Sequence, residues 1–127
     1  MKTTTLQLLP TTSYGTPSGN YDGSSLDWAG DEQKAADYYG GFGTLQTVAF
    51  YLLNFSGIII IEATLDSTPT ADVDWFEVSR VDNVVIGGTP PALTSNFSRN
   101  ITGNFTWIRA RVELFDAGTI TKVMVSY

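Results

Sequence analysis

In the stretch NFTWIRARVELF (104–115), Trp107, Arg109 and Arg111 recur at every second position. An extended strand therefore puts one indole and two guanidinium groups on a single face. An open aromatic face suits the apolar face of a pyranose, and aromatic and Arg side chains suit a protein interface. Trp28, Trp75, Tyr38, Tyr39 and Tyr51 extend the aromatic inventory. Trp107, Arg109, Arg111, Trp75, Trp28 and Tyr51 are the contact candidates, for a partner protein or for a glycan.

A second group is acidic. Asp22, Asp27, Asp31, Glu32 and Asp37 fall within sixteen residues, and Asp66, Asp72 and Asp74 cluster beside Pro69. Calcium takes several oxygen ligands from flexible loops, which makes Asp22, Asp27 and Asp31 the calcium candidates. The competing reading is solvated loop acids, because DGSSLDWAGDE lacks the ligand alternation of the twelve-residue calcium loop. No other cofactor is expected.

Carboxylate pairs for glycoside hydrolysis can be drawn from Glu62, Glu77 and Asp74, but any acidic sandwich offers such pairs. The chain has no Cys and no His, which removes thiol chemistry and the commonest proton-transfer side chain at neutral pH. It also has no nucleophile elbow and no glycine-rich phosphate loop. A non-enzymatic protein is expected.

The net charge of −6 argues against nucleic acid as a partner, since phosphate binding needs clustered Lys and Arg. Charge is uneven along the chain. Residues 1–82 carry eleven acids and three bases, whereas residues 83–127 carry two acids and four bases. Such a split could let copies of the chain stack through complementary faces. No apolar run is long enough to span a membrane as a helix. The opening MKTTTLQLLP is too short in apolar residues for a secretory signal. The chain is therefore expected to stay in the cytoplasm where it is made, with the Asn-x-Ser/Thr patterns at Asn54, Asn96, Asn100 and Asn104 unmodified.

The elements that must position these residues read as strands. One stretch, residues 31–41, reads as a short helix or as the lead-in to a strand. Residues 4–9 alternate, and residues 10–30 are rich in Gly, Ser, Thr, Pro and Asp. Residues 1–30 thus form an N-terminal strand and loop, or an extended arm, ahead of a domain over 31–127. In 44–55, Val48, Phe50 and Leu52 share one face, and Leu45, Thr47, Ala49, Tyr51 and Leu53 share the other. A strand apolar on both faces is either central or covered by a neighbour.

Asn54 to Gly57 then suits a hairpin turn, followed by a strand with Ile59, Ile61, Ala63 and Leu65 inward. Further on, Ile108, Ala110, Val112 and Leu114 alternate inward, FDAGT (115–119) reads as a second hairpin turn, and Thr121, Val123, Val125 and Tyr127 follow inward. NFSRNITGNFTW (96–107) reads as a hairpin turning at Thr102–Asn104. Short strands with frequent turns predict an all-β fold: a single antiparallel β-sandwich or jelly-roll-like domain.

The phrases ADYYGGFGTLQTV, NFSGIIIIEATLD, PTADVDWFEV and GNFTWIRARVELFDAGTITKVMVSY carry a resemblance that runs from about Ala36 to Tyr127. In them the chain resembles small virion structural proteins of tailed bacteriophages, especially contractile-tailed phages of marine cyanobacteria. The resemblance implies a non-enzymatic sandwich in many copies on the particle, as a capsid decoration or a neck, tail or baseplate component. Its partners would be other virion proteins, with a homo-oligomer or a symmetric lattice, no nucleic acid and no membrane. The alternative is a carbohydrate-binding module or host-surface glycan adhesin.

Overall fold

The computed structural model describes residues 4–38, 44–85 and 91–127. Eight strands form one antiparallel sheet: β1 (Thr5–Leu9), β2 (Thr12–Ser13), β3 (Trp28–Ala29), β4 (Gln33–Lys34), β5 (Leu45–Thr64), β6 (Phe76–Asn83), β7 (Leu93–Thr102) and β8 (Trp107–Ser126). The fold is all-β and sandwich-like. Its two layers are halves of the same sheet.

The doubling comes from β5 and β8, each 20 residues long and paired antiparallel from Thr47↔Ser126 to Thr64↔Trp107. The first half of β5 lies between β7 and the second half of β8, which in turn pairs with β1 and β2. The second half of β5 lies between β6 and the first half of β8, which pairs with β3 and β4. We call these layer A and layer B. Val48, Phe50 and Leu52 of layer A meet Ile59, Ile61, Ile108, Ala110 and Val112 of layer B in one core.

Two expected hairpin turns are bends inside long strands. Asn54 (φ 51°) and Gly57 (φ 153°) bend β5, and Leu114 (φ 51°) and Gly118 (φ 88°) bend β8 at the same level. Ser56 pairs with Ala117 between two register shifts. Extra residues in a ladder raise twist and bend a strand without ending it. The shifts also correct the expected faces. Leu114 turns outward and Phe115 takes its place in the core, while Ile120 rather than Thr121 is buried. Leu65 lies just past the end of β5 and is exposed.

The 96–107 segment is likewise not a hairpin. β7 pairs with β5 in layer A, and β8 begins in layer B, so residues 103–106 cross from one layer to the other. Gly103 N–H donates to Thr44 O (2.7 Å) at one end of this link, and Thr106 N–H donates to Thr64 O (2.9 Å) at the other.

The described part of the N-terminal segment takes the strand-and-loop form. β1 lies along β8, and the following loop buries Tyr21 and Trp28 against Phe115, with ring centroids 5.3 and 5.2 Å away. Asp27 Oδ1 accepts the Leu114 N–H (3.1 Å), and Leu26 O accepts the Phe115 N–H (3.1 Å), which straps the β8 bend. Of residues 31–41, those described to 38 contain β4 followed by a turn that ends with Tyr38 in 3₁₀ conformation, and residues 39–41 of that stretch lie outside the described residues.

The layers are clasped at their rims. Buried Gln46 accepts the Ala36 N–H (3.2 Å) and donates to Ile101 O (3.0 Å). Tyr127 Oη donates to Lys34 O (2.8 Å), and Arg99 Nη1 donates to Arg80 O (2.9 Å) at the opposite rim.

Candidate functional site

Four of the six contact candidates meet on the outer face of layer B. The two-residue repeat of β8 places Trp107, Arg109 and Arg111 outward, and the register sets Glu62 opposite Arg109. Glu62 Oε1 accepts Arg109 Nε (2.8 Å) and Arg111 Nε (3.4 Å). Asp72 Oδ1 receives the other end of the same pair, 3.1 Å from each Nη2. The Arg109 guanidinium also lies 4.3 Å from the centre of the Trp75 ring, within cation–π range.

The same face is covered by residues 65–75. Trp107 Nε1–H donates to Ser67 O (3.0 Å), and its ring meets Tyr38 edge-on at 4.8 Å. Asp74 holds the Asp72–Asp74 3₁₀ turn by accepting the Thr70 and Ala71 N–H groups at 2.9 and 3.0 Å. Hydrogen bonding from Arg109, with the charge of Arg111, lowers the Asp72 carboxyl below its usual range. Chemically the cluster is two cations neutralised by two carboxylates. Its product is a fixed loop, because Trp75 is only 9% exposed and lies beneath Arg109.

The remaining candidates lie elsewhere. Trp28 is a core side chain, 4.5 Å from the Tyr21 ring, and offers no open face to a sugar or partner, contrary to its expected surface role. The calcium candidates do not converge. Asp22 accepts the Ser24 and Ser25 N–H groups (2.8 and 2.7 Å), Asp27 caps Leu114, and Asp31 accepts Asn20 Nδ2 (2.9 Å). Among the described residues no three carboxylates come close enough to share a cation. The backbone donors of Ser24, then Ser25, hold the Asp22 carboxyl at about 2, below the ordinary 3.8. Of the carboxylates considered for hydrolysis, Glu77 binds Arg80 (2.9 Å), Glu62 binds the two arginines and Asp74 caps its turn.

Tyr51 stands on the outer face of layer A, with Lys122 Nζ 4.8 Å from its ring centre. This face is built differently from its counterpart. In layer B the outward Ile58 and Ile60 are buried, Ile60 lying in register between Arg111 and Arg80, whose stems can cover it. In layer A the outward Leu45 and Leu53 of the same strand are 51% and 48% exposed. Around them stand Thr47, Ala49 and Tyr51 on β5 and the exposed Asn96, Ser98 and Asn100 on β7. β1, β2, β7 and the layer A halves of β5 and β8 contain no Asp or Glu at all. All thirteen acids therefore lie in layer B, the bends and the connecting loops. The split along the chain does not become a split between layers: the layer B strands balance Glu62, Glu77, Asp82 and Glu113 with Lys34, Arg80, Arg109 and Arg111, and the acidic excess sits in the loops and bends.

Comparison with protein-family models, with curated proteins and with solved structures gives no match.

Proposed function

We propose that this protein is a non-enzymatic virion structural component of a tailed phage, working by protein–protein assembly. The observation that carries the reading is β5, a central strand with apolar residues on both faces. Its inner face fills the core, while its outer face in layer A is uncovered among the described residues. A central strand of this composition fits a protein whose second face is closed by a neighbour. The resemblance in residues 36–127 supplies the virion setting, and its implied many-copy arrangement agrees with a face kept free of carboxylates.

The glycan alternative is less well served. Trp28 is in the core and Trp75 is covered, while Trp107 is half-buried and spends its N–H on Ser67; Tyr51, also half-buried, stands apart from them on the other layer. Quantitative mass spectrometry of purified particles from a phage encoding the chain tests the proposal. The expected result is a stoichiometric virion protein. Presence in infected cells with absence from particles would overturn it.

A further inference from the structure

Two copies of a chain with net charge −6 repel at long range, and a contact face without carboxylates adds nothing to that repulsion. The outer face of layer A is such a face: among the described residues its outward strand positions carry Lys122 as their single charge, and Arg99 lies at its rim against the Arg80 carbonyl. We propose that a second copy of this chain occupies this face, layer A against layer A about a two-fold axis. The proposal deepens the assembly reading above and rests on it for its setting only.

Three observations fix the occupant and its orientation. First, pairing A to A brings no strand-borne carboxylate into the contact, whereas turning layer B inward would bury Glu62, Glu77, Asp82 and Glu113 together with Arg80, Arg109 and Arg111, which are already paired within one copy. Second, the face is large enough. Four strands at about 4.8 Å spacing and a length of nine residues at about 3.3 Å each give about 550 Å² per copy. Two faces then bury about 1,100 Å², which reaches the lower range of specific interfaces. Third, its surface chemistry suits closure by a like face. Leu45, Ala49, Tyr51 and Leu53 form an apolar row along β5, flanked by the short uncharged Asn96 and Ser98. Two-fold pairing sets each row against its own copy, as sheets do in face-to-face packing.

Sedimentation velocity over a concentration series, at about 50 mM and about 500 mM salt, separates this from head-to-tail contact. The expected result is a dimer that tightens with salt, because salt screens the repulsion between two copies that each carry a net charge of −6. Ser98→Asp and Ala49→Asp should each weaken it by about tenfold or more, while Asp66→Lys on the layer B side leaves it intact. Ser98 is exposed on strand β7, so Ser98→Asp keeps the test valid if Ala49→Asp disturbs folding. A monomer at every concentration, unchanged association in Ser98→Asp, or association that weakens with salt would each overturn the A-to-A dimer. A monomer that is still found in particles would end this inference and leave the virion assignment standing.

Discussion

Gly118 of β8 lies against the backbone carbonyl of Asn54 in β5, with no room for a Cβ between them. Gly57 of β5 answers from the other side, where an added Cβ would stand 3.2 Å from the carbonyl oxygens of both Glu113 and Leu114. The two strands bend together because each bend is packed into the other. This interlock lets one sheet supply both layers.

Gly118→Ala should therefore be far costlier than an ordinary glycine replacement. It combines a left-handed φ of 88° with overlap against fixed backbone, and a loss of about 3–5 kcal/mol is expected. Gly15→Ala is the control, since Gly15 has a similar φ of 85° with nothing within 4 Å. About 1 kcal/mol is expected there. Urea midpoints of the two variants measure the difference, which isolates the interlock from the dihedral strain.

Removing Glu62 should matter more than removing Asp72, although each binds both arginines. The Glu62 side chain is 13% exposed and Asp72 is 76% exposed. Glu62→Gln leaves Arg109 and Arg111 partly buried without their inner counter-charge and should cost about 2–3 kcal/mol. Asp72→Asn is expected to cost less than about 1 kcal/mol, as solvent screens the exposed carboxylate. Thermal unfolding of the two variants, followed by circular dichroism, checks the order.

Gln46 is a polar group at the rim between layers with no exposed surface. Gln46→Leu strands the Ala36 N–H and leaves the Ile101 carbonyl without this donor. A loss of about 1–3 kcal/mol is expected, visible as faster hydrogen exchange at Ala36 and a lower urea midpoint.

Acid should loosen the loops before the sheets. The carboxyls of Asp22, Asp72 and Asp74 are all lowered, by the Ser24 and Ser25 N–H groups, by Arg109 with Arg111, and by the Thr70 and Ala71 N–H groups. A lowered folded-state value means that the contribution is present above the unfolded value of 3.8 and is lost as pH falls. For Asp22 the window runs from 3.8 down to about 2. Asp22→Asn should flatten stability against pH across that window, measured by urea midpoints at successive pH values. An undiminished slope would show that Asp22 does not contribute.

Alternation in the sequence identifies most of the core. Val48, Phe50 and Leu52, then Ile59, Ile61 and Ala63, then Ile108, Ala110 and Val112 all face inward as their spacing requires. The bends are not legible in this way. Asn54-x-x-Gly57 offers the positive φ that a hairpin needs, but a bulge in a long strand needs it too. Which occurs is decided by β8, whose partner residues lie some sixty positions away. The same shift exchanges Leu114 for Phe115. Trp107, Arg109 and Arg111 are legible as an outward row, whereas Glu62 and Asp72 as their shared anchors depend on how residues 65–75 fold back. Trp28 stands in a two-residue strand within a Gly- and Asp-rich stretch, too short for alternation to show its burial.

The most direct test is a cryo-electron microscopy map of the assembled particle, or of the isolated oligomer, in which the chain can be traced. Protein density from a neighbouring subunit is expected across β1, β8, β5 and β7 on the outer face of layer A, covering Tyr51 and Leu53. A traced assembly in which that face opens to solvent, while layer B makes the contacts, would contradict it.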